Sequence, residues 1–401
     1  MKLSADEKEI LDGKCGVALQ KAMEILVALG NIYNASHLVP VHSVQVAGVS
    51  YKNLGDAGLE FLREWAEQGA YIHSDVAVNL NPAGMDLEKW ASLGFRESFA
   101  KKQLDVIQCF QNLGISPVCS CTPYLLGNVP RYREHIAWSE SSAVAYANSM
   151  LGARTNREGG PSALAAAILG KTPCYGLHLD ENRKANYYVD VQCTLKNEAD
   201  FGALGYMIGK KVAAGIPYFH GILHAFPHEV KALGAAMAAT GAVSLFHIEN
   251  ITPETHHQNM LHHQHETITI HDVQEGYEKM NSYVQDIDLV SFGCPHASYQ
   301  EIRKIAQCLK GKKVKSDVWI TTSYPMYHYA KRDGVLQVIE DAGAKIVCDT
   351  CMVVAPIQEM GIRSLMTNSA KAAFYVPNHC NVQVRYGSLQ ECIQTAIQGK
   401  I

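Results

Sequence analysis

Apolar residues recur at three- and four-residue spacing through residues 17–29 and again through 59–67. Both stretches predict amphipathic helices, closed by Gly30 and Gly69, since glycine supplies the left-handed turn that follows a last helical residue. At the head of the chain Ser4 and Glu7 stand three apart and predict a capping box. Short β-branched and aromatic runs at 243–248, 289–292, 318–322 and 345–347 predict strands, and residues 336–342 between the last two carry a helical pattern. That strand–helix–strand alternation predicts a parallel α/β sheet toward the C-terminal end. In such sheets ligands bind where strands end at their carboxyl edge. The residues just past each strand are therefore where chemistry is sought. No fixed-period repeat, low-complexity tract or Pro/Ser-rich linker divides the chain, and soft boundaries near 115 and 285 give subdomains 1–115, 116–285 and 286–401.

With 401 residues, 47% hydrophobic and 18% charged, the chain has material for two or three domains with a substantial core. A formal net charge of -4 supplies no global attraction to nucleic acid or anionic membrane, although local anion sites are compatible with it. No apolar run is long enough to span a bilayer, and the segment from Met1 to Glu7 lacks the apolar stretch of a secretory signal. A soluble, cytoplasmic protein is expected. In a reducing compartment its 12 cysteines are not a disulfide framework, so some are ligands or nucleophiles and the rest small buried hydrophobes.

Three cysteine groups stand apart: Cys119-Ser120-Cys121-Thr122-Pro123, Gly293-Cys294-Pro295-His296, and Cys348-Asp349-Thr350-Cys351. Each falls in a strand-end or turn context from which a thiolate reaches a shared cavity. One thiolate from each of three distant segments is what a cubane cluster with one open iron requires, and that iron acts as a Lewis acid on a substrate hydroxyl. Spacing alone leaves other readings open. Cys348 and Cys351 also have the spacing of a redox pair or of half a zinc site, and any of these thiols also reads as a buried inert side chain.

Residues 152–162, Gly-Ala-Arg-Thr-Asn-Arg-Glu-Gly-Gly-Pro-Ser, open into an alanine-rich helix. Amides at a glycine-rich helix start beside Arg154 and Arg157 form an anion site for carboxylate or phosphate; the alternative is a tight loop whose arginines pair internally, with Glu158 or Asp180. Residues 48–52 and 81–84 follow β-like runs and are weaker sites of the same kind. His220, His224 and His228 recur every four residues, but Gly221 and Pro227 break the helix that would align them. His256, His257, His262, His263 and His265 read as a solvated loop.

Taken together, Cys-Thr-Pro-Tyr at 121–124, Trp-Ser-Glu-Ser-Ser-Ala at 138–143, Asn148-Ser149 through Gly160, Gly-Leu-His-Leu-Asp at 176–180, Gly-Cys-Pro-His at 293–296 and the 348–351 segment resemble the aconitase X family, over essentially the whole chain and in the same order. The resemblance implies an aconitase-like fold of several α/β domains, with parallel or mixed sheets around a central cleft. It implies a 4Fe-4S cluster on Cys121, Cys294 and Cys351. Substrate contacts are implied at Gly48, Val49, Ser50, Asn81, Pro82, Glu140, Ser141 and Lys371, to which the residues themselves add Arg154 and Arg157. It further implies a separate small subunit, equivalent to aconitase's swivelling domain, that carries the proton-abstracting serine; no catalytic base is then expected in this chain, which ends at Ile401 and is expected to be incomplete as a catalyst alone. The implied reaction is hydro-lyase chemistry: dehydration of (R)-5-phosphomevalonate to trans-anhydromevalonate 5-phosphate in archaeal isoprenoid biosynthesis. Two rivals accompany it, dehydration of cis-3-hydroxy-L-proline on the same fold and a cluster-dependent regulatory or scaffold protein without activity.

Overall fold

The apolar run Leu289–Phe292 forms the centre of a five-stranded sheet in the computed structural model, which describes all residues from Met1 to Ile401. Its order is Lys345–Cys348, Asp317–Thr322, Leu289–Phe292, Ser364–Thr367, Gln383–Tyr386, with every pairing parallel. All four residues of the central strand are buried, as expected where helices cover both faces of a parallel sheet. The strand–helix–strand unit read from the sequence is present: Trp319 registers with Lys345, and the helix Val335–Asp341 lies between those strands. A second helix, Tyr324–Arg332, precedes it. Its Tyr-, His- and Lys-rich sequence has too few aliphatic residues to announce itself.

Two further parallel sheets complete the architecture. Ser43–Val46 lies between Ala77–Leu80 and Ala137–Trp138. His247–Ile248, Pro217–His220, Ala185–Val191 and Leu261–Ile270 form the other, in that order. The helices Glu198–Val212 and Pro227–Gly241 pack against each other so closely that a Cβ on Gly205 would lie 2.5 Å from the Leu233 carbonyl oxygen. Outside these sheets, Leu38–Pro40 and Lys171–Pro173 pair antiparallel.

The Ser4–Glu7 capping box forms as read, with Ser4 N donating to Glu7 Oε2 at 2.8 Å and Glu7 N to Ser4 Oγ at 3.2 Å. Three local expectations are corrected. Gly30 does not close the first long helix, which runs Val17–Ile32 and is capped at Tyr33; it is a buried interior position against the Met1 thioether. Of the run 243–248 only His247–Ile248 is strand; Val243, Leu245 and Phe246 are buried without regular structure, Val243 and Phe246 in the core that the preceding helix shares. His262, His263 and His265 are on the sheet-edge strand Leu261–Ile270 and not in a loop, since one edge needs no apolar alternation on its solvent side.

Candidate active site

Six parallel strands, three from the five-stranded sheet and all three of the three-stranded sheet, hand over at their carboxyl ends to residues that line one cavity or support its wall. Val46 leads to Ala47 and Gly48, Leu80 to Asn81 and Pro82, Trp138 to Glu140 and Ser141, Phe292 to Cys294, Cys348 to Cys351, and Thr367 to Lys371. Cys119 is held beside Leu80 by an isolated parallel bridge, which brings Cys121 to the same edge. The cavity has a volume of about 380 Å³. Facing strand ends of two sheets create it, as the general rule for open α/β sheets requires.

Cys121, Cys294 and Cys351 all line this cavity, whereas Cys119 and Cys348 do not. Cys119 is fully buried with its thiol directed to the Pro117 carbonyl, and Cys348 is packed in the apolar core under the five-stranded sheet. The neighbouring Cys351 thiol holds the Cys294 thiol below its ordinary value, and Cys294 with burial raises that of Cys351. Burial pushes the Cys121 thiol up to about 12, against the pull of Lys371; the His296 backbone N–H donates to its sulfur at 3.2 Å. No three His, Cys, Asp or Glu side chains close on a point that a single ion would fill. Three soft thiols spread around a cavity fit a multi-iron cluster, which is larger than one ion, and do not have the arrangement of a tetrahedral zinc site.

The same cavity is lined by a buried ion pair. Glu140 and Lys371 are in direct contact, their side chains 12% and 9% exposed. Burial alone would raise the Glu140 carboxyl, but the Lys371 ammonium and hydrogen bonds from Asn81 Nδ2 (2.9 Å) and Ser142 N hold it down to about 2. Burial likewise opposes the charge on Lys371, and Glu140 with Cys294 and Cys121 more than reverses that, so its ammonium is raised above the ordinary value. Lys371 Nζ also donates to Ser142 Oγ at 3.1 Å. Asn81 Oδ1 remains buried with no protein partner.

Of the expected substrate-contact residues, Gly48, Asn81, Pro82, Glu140, Ser141, Arg157 and Lys371 are brought to the cavity. Val49 and Ser50 turn inward instead: the Val49 carbonyl accepts from Gln103 Nε2 at 2.9 Å and Ser50 Oγ donates to the Val354 carbonyl at 3.0 Å. They brace the loop carrying Gly48. Arg154 is not brought to the cavity either. Its side chain, 4% exposed, pairs with Asp180 at 2.5 Å and with Glu254 at 3.5 Å, and Glu254 in turn is held by the buried Arg183 at 2.8 Å. Strict alternation explains the split, because an extended segment places Arg154 and Arg157 on opposite sides. Arg154→Met is therefore expected to cost about 1–3 kcal/mol of stability through its abandoned carboxylates and to leave substrate affinity unchanged, as melting and kinetics on one preparation will show.

Sequence reasoning missed Asn53, Tyr375 and His379, which also line the cavity. A signal was present: Lys371, Tyr375 and His379 are spaced by four on the helix Ala370–Cys380 and so share one face.

The chain matches the family models for the first (residues 1–181), second (185–278) and third (287–398) domains of aconitase X. This chain belongs to the aconitase X family. The phosphomevalonate dehydratase large subunit of Methanocaldococcus jannaschii is 48% identical, over 98% of this chain and 100% of that protein. The cis-3-hydroxy-L-proline dehydratase of Pseudomonas aeruginosa is 31% identical, over 100% of this chain and 70% of its own length. The crystal structure of Thermococcus kodakaraensis aconitase X in its holo-form superposes with a TM-score of 0.92 at 47% identity, covering 99% of this chain and 100% of that one. Relatives named for two different substrates are thus both dehydratases, and the chain is a hydro-lyase with the aconitase-like α/β fold read from its motifs. Within the aconitase X architecture the cavity lies between the first and third domains: Cys121 comes from one, Cys294, Cys351 and Lys371 from the other, and the second domain lines none of it.

Proposed function

We propose that this chain is the large subunit of a phosphomevalonate dehydratase, removing water from (R)-5-phosphomevalonate to give trans-anhydromevalonate 5-phosphate. The observation that carries the reading is one cavity that joins three thiols from three strand ends to the Glu140–Lys371 pair and Arg157. Relatives of nearly half-identical sequence and matching length bear that enzyme's name. Cys121, Cys294 and Cys351 would hold a 4Fe-4S cluster. When bound, the cluster supplies an open iron that acts as a Lewis acid toward a hydroxyl leaving group.

This chain's own residues bind and orient. Lys371, kept charged by Glu140, and Ser141 hold the substrate carboxylate near the thiols, while Asn81 Oδ1 offers an unfilled acceptor to a substrate hydroxyl. Arg157 lies exposed at the cavity without a carboxylate partner and is free to meet the phosphate, a match of guanidinium to phosphate geometry. In the elimination the C2 proton passes to a base, its bonding pair becomes the C2–C3 double bond, and the C3 hydroxyl departs. The base belongs to a small subunit, whose existence the name "large subunit" in the relatives supports and which closes the cavity from outside. No helix is long and apolar enough to cross a membrane. A cytoplasmic location is supported by 12 cysteines that are all free.

Anaerobic reconstitution of this chain with an archaeal small subunit, assayed against both (R)-5-phosphomevalonate and cis-3-hydroxy-L-proline, tests the reading. Turnover of the phosphorylated acid, competitively inhibited by inorganic phosphate, is expected. Turnover confined to hydroxyproline, without phosphate inhibition, would assign the chain to the other branch.

A further inference from the structure

We infer that His296 is a positioning residue that ties the three cysteine-bearing loops into one frame, through both ring nitrogens and its own backbone. Its side chain is fully buried and is not among the residues lining the thiol cavity. Nε2 lies 3.0 Å from the Thr350 carbonyl oxygen, one residue before Cys351. Nδ1 lies 3.1 Å from Ser120 Oγ, one residue before Cys121. The backbone N–H reaches Cys121 Sγ, and the residue itself follows Cys294 by two positions. Every thiol proposed as a ligand therefore has an immediate neighbour bonded to this one imidazole or carried on its loop.

The hydrogen bonds also set the tautomer. A carbonyl oxygen only accepts, so Nε2 carries the proton, and Nδ1 of the neutral ring is left to accept from the Ser120 hydroxyl. Ser120 Oγ then accepts from Thr122 N at 3.2 Å, and the Ser120 carbonyl accepts from Gln45 Nε2 at 3.0 Å, which carries the tie into the central strand of the three-stranded sheet. On the other side the His296 carbonyl accepts from Lys231 Nζ at 3.2 Å, and Lys231 is paired with Glu301 at 2.7 Å. The tie thus spans the first and third domains across the cavity and draws in a buried cation from the second. Three loops from separate strand ends have no common secondary structure to fix their spacing; a single residue carried on one loop and bonded through its ring to the other two supplies it.

This inference rests on the cluster reading, and the test separates the two. Amide hydrogen exchange on the chain without cluster examines the tie alone. Asparagine places an amide oxygen near the Nδ1 position and keeps the Ser120 bond; glutamine places an amide N–H near the Nε2 position and keeps the Thr350 bond. His296→Asn is expected to speed exchange in residues 349–354 and spare 119–124, and His296→Gln to do the reverse, with the strand Ala185–Val191 unchanged in both. In anaerobically reconstituted protein, release of iron to a chelator is expected to be about 10- to 100-fold faster in His296→Ala than in the parent, and slower again in His296→Gln. Should the parent take up no cluster while the exchange pattern appears, the cluster reading fails and the tie stands. Exchange altered equally in both segments by both variants, or in neither, overturns the tie, as does parent-like iron release from His296→Ala.

Discussion

Serine in place of any one of Cys121, Cys294 or Cys351 is expected to abolish cluster retention, with dehydratase activity falling below detection. The three thiols converge on one cavity from three loops, and no fourth cysteine lines it, so a site reduced to two thiolates has no replacement within the fold. The control is built into the same motifs. Cys119→Ser and Cys348→Ser remove thiols that sit two and three residues from a proposed ligand yet point into protein, and both variants are expected to keep full iron and sulfide. Iron and acid-labile sulfide measured on all five anaerobic preparations check the assignment. Full occupancy in any of the first three would remove that cysteine from the ligand set, and loss in either control would add one.

How much of this was legible in the sequence depended on how local each signal is. The motif runs around Cys121, Cys294 and Cys351 identified the family and its implied ligands, because short strands ending on Cys, Gly and Pro leave a distinct local pattern. Strand spacing alone could not choose between Cys119 and Cys121 or between Cys348 and Cys351. That choice is made by the turn through Asp349, whose left-handed φ of 58 and whose bond from Cys119 N at 3.2 Å aim one thiol of each group at the cavity and the other away. The anion segment was half readable for the same reason. Arg154 and Arg157 look alike in sequence; the internal pairing with Asp180 read as the alternative holds for Arg154, while Glu254, its second partner, is distant in the chain and nothing local told the two arginines apart. His296 looked like the end of a Gly-Cys-Pro-His motif, and nothing local announced that it touches both of the other loops.

Lys371→Met carries the second large effect, and it divides into two parts. The substrate loses a buried cation, and removing one partner of a hydrogen-bonded charge pair costs about 2–5 kcal/mol of binding, or roughly thirty-fold and more in kcat/KM. At the same time Glu140 is left charged in a site where burial opposes it, which is expected to destabilise the chain by about 3–5 kcal/mol. The two parts come apart in the double variant Glu140→Gln/Lys371→Met. Stability is expected to return to within about 1 kcal/mol of the parent because no uncompensated charge remains, while activity stays lost. A double variant that is as unstable as Lys371→Met would show that the lysine supports packing and not charge. Over the working pH range the pair stays ionised: the Glu140 carboxyl is held at about 2 and the Lys371 ammonium is raised, so the stability that Glu140 contributes is full above its ordinary value of 4.5 and is lost as pH falls from there through about 2.

Mössbauer spectroscopy of the 57Fe-reconstituted chain with its small subunit, before and after (R)-5-phosphomevalonate is added, examines the central claim most directly, because it counts the irons and asks whether the substrate reaches one of them. Four irons, three with thiolate parameters untouched by substrate and one whose parameters shift when it binds, is the predicted result. A spectrum of four equivalent irons indifferent to saturating substrate would contradict the account.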